Sequence, residues 1–110
     1  MFGINAEKLE KLAKKNKAGK LTALTENKDQ SIALMAIDAL GKCMDEGAYN
    51  NLVTLLHSTD DKKRIHAAEA LAVMNRSQAK THMKYQYQVE KVPEVKEAIA
   101  KAMARIKDAE

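Results

Sequence analysis

Apolar residues recur at helical spacing along most of this chain, and the pattern itself repeats. Shifting the sequence by 31 places superimposes identical residues: Leu21, Leu24, Asp29, Ala36, Ala39 and Leu40 fall on Leu52, Leu55, Asp60, Ala67, Ala70 and Leu71. A further step of 32 brings Val95, Ala102 and Met103 to the positions of Ile32, Ala39 and Leu40. A fixed period of this length is the signature of a repeat architecture, in which each unit stacks on its neighbours.

Each unit is predicted to be a pair of helices. In the second unit, apolar residues at helical spacing in 49–56 are followed by a polar break at 57–61 and a second helix. Asp29 and Asp60 are predicted N-caps of the second helices, and Pro93 suits the first turn of the last one. Gly47 is expected to end a helix in a left-handed conformation. The units span about 17–47, 48–76 and 77–107.

Two segments depart from the repeat. Residues 77–91 keep only Ala79, Met83 and Tyr87 at helical spacing, and 85–89 alternate as a strand would. The pattern favours a degenerate helix followed by an extended tail over a strand. Residues 6–16 form a short amphipathic helix, whose side with Leu9 and Leu12 is expected to cap one end of the stack.

Residues 40–48 and 60–71 resemble the short HEAT-like repeats of bacterial and archaeal proteins, the type also found in phycobilin lyases. Pro93-Glu94-Val95-Lys96 resembles the start of a second helix in such a repeat. The resemblance covers about residues 18–107 and implies an all-α fold: a right-handed α-solenoid of about three HEAT-like helical hairpins with an N-terminal capping helix. The basic residue near the start of the second helix is Arg64 or Lys96 in two units but Ala33 in the first, so an ion pair between repeats is incomplete.

Composition and charge narrow the function. The 110 residues, enough for a single domain, hold four aromatic residues and no Trp, so the core must consist of Leu, Ile, Val, Met and Ala, with the six Met as fillers. The net charge of +4 is divided into +4 over 1–28, −5 over 29–61 and +5 over 62–110. The acidic block argues against a polyanion partner.

The apolar run at 32–37 is too short to span a bilayer, and no signal peptide is evident, so a cytoplasmic location is expected.

Candidate reactive groups favour structural roles. Cys43 follows Leu40 by three residues on the buried side of its helix, which predicts a packed thiol. His57, His66 and His82 lack the spacing of zinc ligands. The acidic pairs at 45–46 and 60–61 lie at helix–turn junctions, where capping explains them. We therefore expect no catalytic residues, no metal, no cofactor and no enzymatic activity.

One predicted surface is not explained by helix packing alone. One row of positions on the second helices would form the inner, concave side of a HEAT-like stack, and in this chain that row carries apolar residues among charges, a pattern typical of interaction surfaces. Its predicted partner-binding residues are Leu34, Asp38, Lys42, Ile65, Glu69, Val73, Lys101 and Arg105. Leu34 and Ile65, at equivalent positions of adjacent units, are the expected anchor pair. The N-terminal helix or the segment 85–89 could instead cover this strip.

The sequence thus predicts a non-catalytic protein–protein interaction or scaffold module that binds another protein on this concave face. Two alternatives stay open: a nucleic-acid-binding domain like the HEAT-like DNA glycosylases, and an accessory subunit of a chromophore lyase. Nucleic acid is the weaker partner because of the acidic block, and no membrane partner is expected. A homo-oligomer is left open.

Overall fold

Seven α-helices and no strand make up residues 3–108, the part of the chain that the computed structural model describes. The predicted all-α class is therefore confirmed. The helices are α1 (Ala6–Lys14), α2 (Ala18–Leu24), α3 (Gln30–Leu40), α4 (Glu46–Leu55), α5 (Asp61–Met74), α6 (Ala79–Val89) and α7 (Pro93–Arg105).

Helices α3, α5 and α7 lie side by side, with α5 in contact with both of the others. Helix α2 packs on α3 and α4, α4 packs on α5, and α6 packs on α7, while α1 contacts α2 and α3. The Cα extents of 43 × 32 × 17 Å suit a flat body about two helices thick. The pairs α2–α3, α4–α5 and α6–α7 are consecutive along the chain, and α4 begins at Glu46, two residues before the expected unit boundary at 48.

The predicted helix starts are confirmed. The Asp29 carboxylate accepts hydrogen bonds from the backbone N–H groups of Ser31 and Ile32, and Asp60 does the same for Lys62 and Lys63. These carboxylates satisfy donors that have no partner inside the helix. Pro93 is the first residue of α7, where its missing N–H costs little.

The expectation for Gly47 is wrong. Gly47 lies in the first turn of α4, and no glycine in residues 3–108 has a positive φ. The reason is Asp45, whose side chain accepts a hydrogen bond from the Ala48 backbone at 3.2 Å and so begins a new helix there. The left-handed residues of the described chain are Asn16 and Asn75.

Small residues allow α3 and α5 to pack closely. Ala39 and Ala70, at equivalent positions of two units, are almost fully buried. At the end of α3, a Cβ on Gly41 would lie 2.8 Å from the carbonyl oxygen of Ala70 and 3.0 Å from its Cα. Because these are backbone atoms that no side-chain rotation can move aside, this contact requires glycine.

Residues 77–91 contain a helix rather than a strand, as favoured from the sequence, but the expected extended tail is not observed. Helix α6 is continuous through Val89 and buries Ala79, Met83 and Gln86 on one face. Gln86 is polar and therefore hides the helical period in the sequence. Its burial is tolerated because both amide atoms are hydrogen-bonded: the oxygen to His57 and the nitrogen to Glu90.

A buried ion pair joins α5 to the segment between α6 and α7. Arg64 Nε and Nη2 donate to the two carboxylate oxygens of Glu90, each at 2.8 Å, and Arg64 Nη1 donates to the Ser58 carbonyl. Glu90 also accepts from Gln86 Nε2 at 2.9 Å and from the Val92 backbone at 3.1 Å. Its side chain is only 2% exposed. The carboxylate thus receives four hydrogen bonds, which offset the cost of burying its charge.

The Glu90 ion pair makes stability depend on pH. Burial by itself would raise the pKa of Glu90, but the hydrogen bonds from Arg64, Gln86 and Val92 outweigh it and lower the pKa below the usual 4.5. A carboxyl group whose pKa is lowered on folding stabilises the protein above its unfolded pKa. That stabilisation is lost as the pH falls through the folded pKa.

Glu90→Gln should lower the free energy of unfolding by about 3–5 kcal/mol near neutral pH, because it leaves the Arg64 charge uncompensated. The difference from the parent should shrink as the pH is lowered below 4.5. Urea unfolding at a series of pH values measures both effects. Glu26→Gln is the matched control, since Glu26 is largely exposed and lies 3.9 Å from Lys63. A Glu90→Gln deficit that stays constant with pH would contradict the assignment.

Gly41→Ala should lower the free energy of unfolding by about 1–3 kcal/mol, because the new Cβ forces α3 away from α5. Gly19→Ala is the control: Gly19 lies in α2, and a Cβ added there would meet no neighbouring atom within 4 Å. Alanine at that position should therefore stabilise the helix by about 0.5–1 kcal/mol. Chemical denaturation of the two variants checks this. If Gly41→Ala were as stable as Gly19→Ala, α3 and α5 would not pack at this distance.

Candidate functional site

Five of the eight residues predicted to bind a partner line one depression of about 270 Å³. We call it the inner groove; its residues are Asp38, Lys42, Glu69, Ala70, Val73 and Arg105. The spacing of four residues places Glu69 and Val73 on the same face of α5. Asp38 belongs to α3, Lys42 follows its end, and Arg105 is the last residue of α7. The groove therefore crosses all three second helices.

The three other predicted residues do not line the inner groove. Leu34 and Ile65 are partly buried and pack against the hydrophobic core, so they are not the solvent-facing anchors expected from the sequence. Lys101 lies on α7 and forms an ion pair with Glu97 at 3.2 Å, one helical turn away. Among the predicted apolar residues, Val73 is the one that is clearly exposed, at 50%.

Two charges of the inner groove are bound by neighbouring side chains. Lys42 Nζ donates to Glu10 of α1, and His66 Nδ1 of α5 donates to Asp38 at 2.8 Å. The hydrogen bond to Asp38 raises the pKa of His66 against the opposing effect of burial, and the charges of Asp38 and Glu69 add to it. The pair of His66 and Asp38 also links α5 to α3 beside the groove.

Glu69 and Arg105 carry charges available to a ligand. Neither takes part in an ion pair within residues 3–108. Both are exposed, and they line the same depression as the half-exposed Val73. An exposed apolar side chain in the same depression as two unpaired opposite charges is an arrangement suited to binding a peptide segment.

The inner groove continues into two further depressions. One, of about 160 Å³, extends towards α1 and shares Asp38 and Lys42 with the inner groove. The other, of about 410 Å³, is formed by the loop between α3 and α4 and the end of α5, and it shares Lys42 and Val73. Met44 lines this second depression and is 90% exposed. Val73 and Met44 thus form the exposed apolar part of the surface.

Sequence reasoning misses Met44, because it treats all six methionines as core fillers. Met44 lies outside any helix, so no periodicity reports its exposure. Its backbone N–H donates to the side-chain oxygen of Asn16 at 2.9 Å, a contact between residues far apart in the sequence. This contact anchors the α3–α4 loop and so determines where the methionine side chain is presented.

Candidate reactive groups occupy structural positions. Cys43 is 2% exposed, as predicted for a packed thiol, and burial together with the charge of Asp45 raises its pKa. A thiol with a raised pKa is a poor nucleophile. Asp45 and Asp60 are helix caps. In the described part of the chain, no three His, Cys, Asp or Glu side chains cluster to hold a metal ion.

Val73→Ser should change the free energy of unfolding by less than about 0.5 kcal/mol, because Val73 is half exposed. Ile65→Ser should lower it by about 1–3 kcal/mol, since Ile65 packs against the core. Thermal or urea unfolding distinguishes the two. Equal destabilisation would place Val73 in the core and remove the exposed apolar part of the groove.

None of the helices in residues 3–108 is both long and apolar enough to cross a membrane. No protein-family model, curated protein or solved structure matches this chain.

Proposed function

We propose that this chain is a non-catalytic protein-interaction module that binds a segment of another protein in the inner groove. The supporting observation is the convergence of Glu69, Val73 and Arg105, from two helices, on one depression of about 270 Å³. The apolar side chain of Val73 supplies contact area for the bound segment, and the charges of Glu69 and Arg105 orient that segment.

The module is proposed to be a short right-handed α-solenoid of about three HEAT-like hairpins. Three consecutive helix pairs support this, because their second helices begin at Gln30, Asp61 and Pro93, 31 and 32 residues apart. The equivalent caps Asp29 and Asp60 support it as well. Gln30 at the start of α3 also donates to the Asp60 carboxylate at 3.1 Å, so equivalent helix starts of neighbouring units contact each other. In such a stack, the row of α3, α5 and α7 is the binding face.

The groove specifies the chemistry of the bound segment. An apolar side chain of the partner would cover Val73 and extend towards Met44. Val73 and Met44 thus replace Leu34 and Ile65, the anchor pair expected from the sequence. A basic side chain beside it would pair with Glu69, and an acidic one with Arg105. Anchors of this kind contribute most of the binding free energy, whereas exposed charges at the rim act mainly on orientation and association rate.

A protein segment suits this surface better than nucleic acid does. Asp38 and Glu69 bring two carboxylates into the inner groove, and these would repel a phosphate backbone. The pairing of Lys42 with Glu10 also neutralises one of the cations that a polyanion would need.

The proposal is tested by photo-crosslinking in the native cells. A benzophenone amino acid replaces Met44 at the edge of the groove, and a matched control carries it at Lys84, on the exposed surface of α6. We expect one dominant crosslinked protein from position 44 that is not obtained from position 84. Adding Val73→Ser to the position-44 probe should reduce its yield by about fivefold or more, in line with the loss of about 1 kcal/mol or more for an anchor residue.

Val73→Ser is expected to fold normally, so loss of the crosslink would report on binding rather than on unfolding. Binding in the inner groove would be contradicted if both positions gave the same crosslinked proteins. It would also be contradicted if Val73→Ser did not change the crosslinking yield from position 44.

A further inference from the structure

A second recess lies between α1 and α2, beside the first helix pair. We call it the end groove. It has a volume of about 380 Å³ and an apolar lining on a floor of buried Leu9. Its walls are Ile4, Leu12 and Leu24, each partly exposed. The outer surface of a terminal helix pair is ordinarily polar, because no neighbour covers it. Here the packing of α1 on α2 leaves three large apolar side chains in an open recess.

The rim of the end groove is positively charged. It consists of Lys8 and Lys11 on α1 and Lys20 on α2. All three are exposed, and within residues 3–108 none of their side chains forms an ion pair. Glu10, on the same helix, is directed to Lys42 of α3 and does not neutralise them.

This charge distribution determines which occupant fits. Three like charges around an apolar recess create a positive potential that attracts an anionic ligand. A second copy of this chain binding through its own basic end would be repelled. A concave recess accepts individual side chains, which a protein helix presents at regular spacing. The apolar floor excludes a purely ionic ligand such as a phosphate backbone, because its desolvation would not be compensated.

We propose that the end groove binds an acidic amphipathic helix of a partner protein. Apolar side chains of that helix, at spacings of three and four residues, insert between Leu12 and Leu24. Acidic side chains beside them pair with Lys8, Lys11 and Lys20. The interaction is independent of the inner groove, which lies on α3, α5 and α7 and carries carboxylates of its own.

A phage-displayed library of short helical peptides, selected on the intact chain, tests this. Enriched peptides are synthesised with a fluorophore, and their affinity is measured by fluorescence anisotropy. We expect a class with apolar residues at helical spacing flanked by Asp or Glu, whose binding weakens with added salt.

Two triple variants with the same change in net charge provide the comparison. Lys8→Glu/Lys11→Glu/Lys20→Glu should weaken binding of these peptides by about tenfold or more, because attraction at the rim becomes repulsion. Lys62→Glu/Lys84→Glu/Lys91→Glu, at exposed sites elsewhere, should bind them as the parent does. Val73→Ser should also bind them normally, so that failure here and failure of the inner-groove proposal are distinguishable.

The proposal is overturned if no enriched peptide distinguishes the two triple variants, or if those that do are not acidic. A different result with phosphatidylglycerol vesicles would also overturn it. In that result no peptide binds the parent, whereas the vesicles bind the parent but not the Lys8→Glu/Lys11→Glu/Lys20→Glu variant. That result would assign the groove to an anionic lipid surface. Circular dichroism of both triple variants confirms that each remains helical.

Discussion

The position of the third helix pair depends on the buried carboxylate of Glu90. Its four hydrogen bonds come from Arg64 on α5, from Gln86 on α6 and from the Val92 backbone at the start of α7. Since the Gln86 amide nitrogen donates to Glu90, its oxygen faces His57, which must donate from Nδ1. Because the donors come from α5, from α6 and from the start of α7, all four hydrogen bonds form together only while these elements keep this arrangement.

The inner groove depends on that arrangement. Arg105 comes from α7, whereas Glu69 and Val73 come from α5, so these three side chains line one depression only while the two helices keep their register. On the other side, the absence of a side chain at Gly41 allows the end of α3 to approach the Ala70 backbone of α5, and the next residue, Lys42, lines the same depression. The groove is thus formed by a polar constraint on one flank and a steric constraint on the other.

Much of the fold follows from local sequence signals. The repeat period locates the helix pairs, and Asp29, Asp60 and Pro93 mark helix starts because each acts within a few residues. The last turns of helix α6 could not be recognised as helical, because the buried Gln86 is polar and its partners lie outside the helix. The sequence marks Arg64 as a basic position suited to an ion pair between repeats, but it does not identify the partner. Glu90 is 26 residues away, in a segment where the repeat pattern fails. The candidate site was likewise predictable only in part. The repeat and the helical spacing place Asp38, Glu69 and Arg105 on one face. They do not reveal that Ile65 packs against the core while Val73 stays exposed, because both are apolar residues on the same helix.

Hydrogen–deuterium exchange of Arg64→Met tests most directly whether the buried ion pair holds the third helix pair in place. Removing the guanidinium leaves Glu90 buried and uncompensated, so amides in 79–89 and 93–105 should lose protection first, while those in 30–40 keep it. Uniform loss along the chain, or unchanged protection in α6 and α7, would contradict this role of the ion pair.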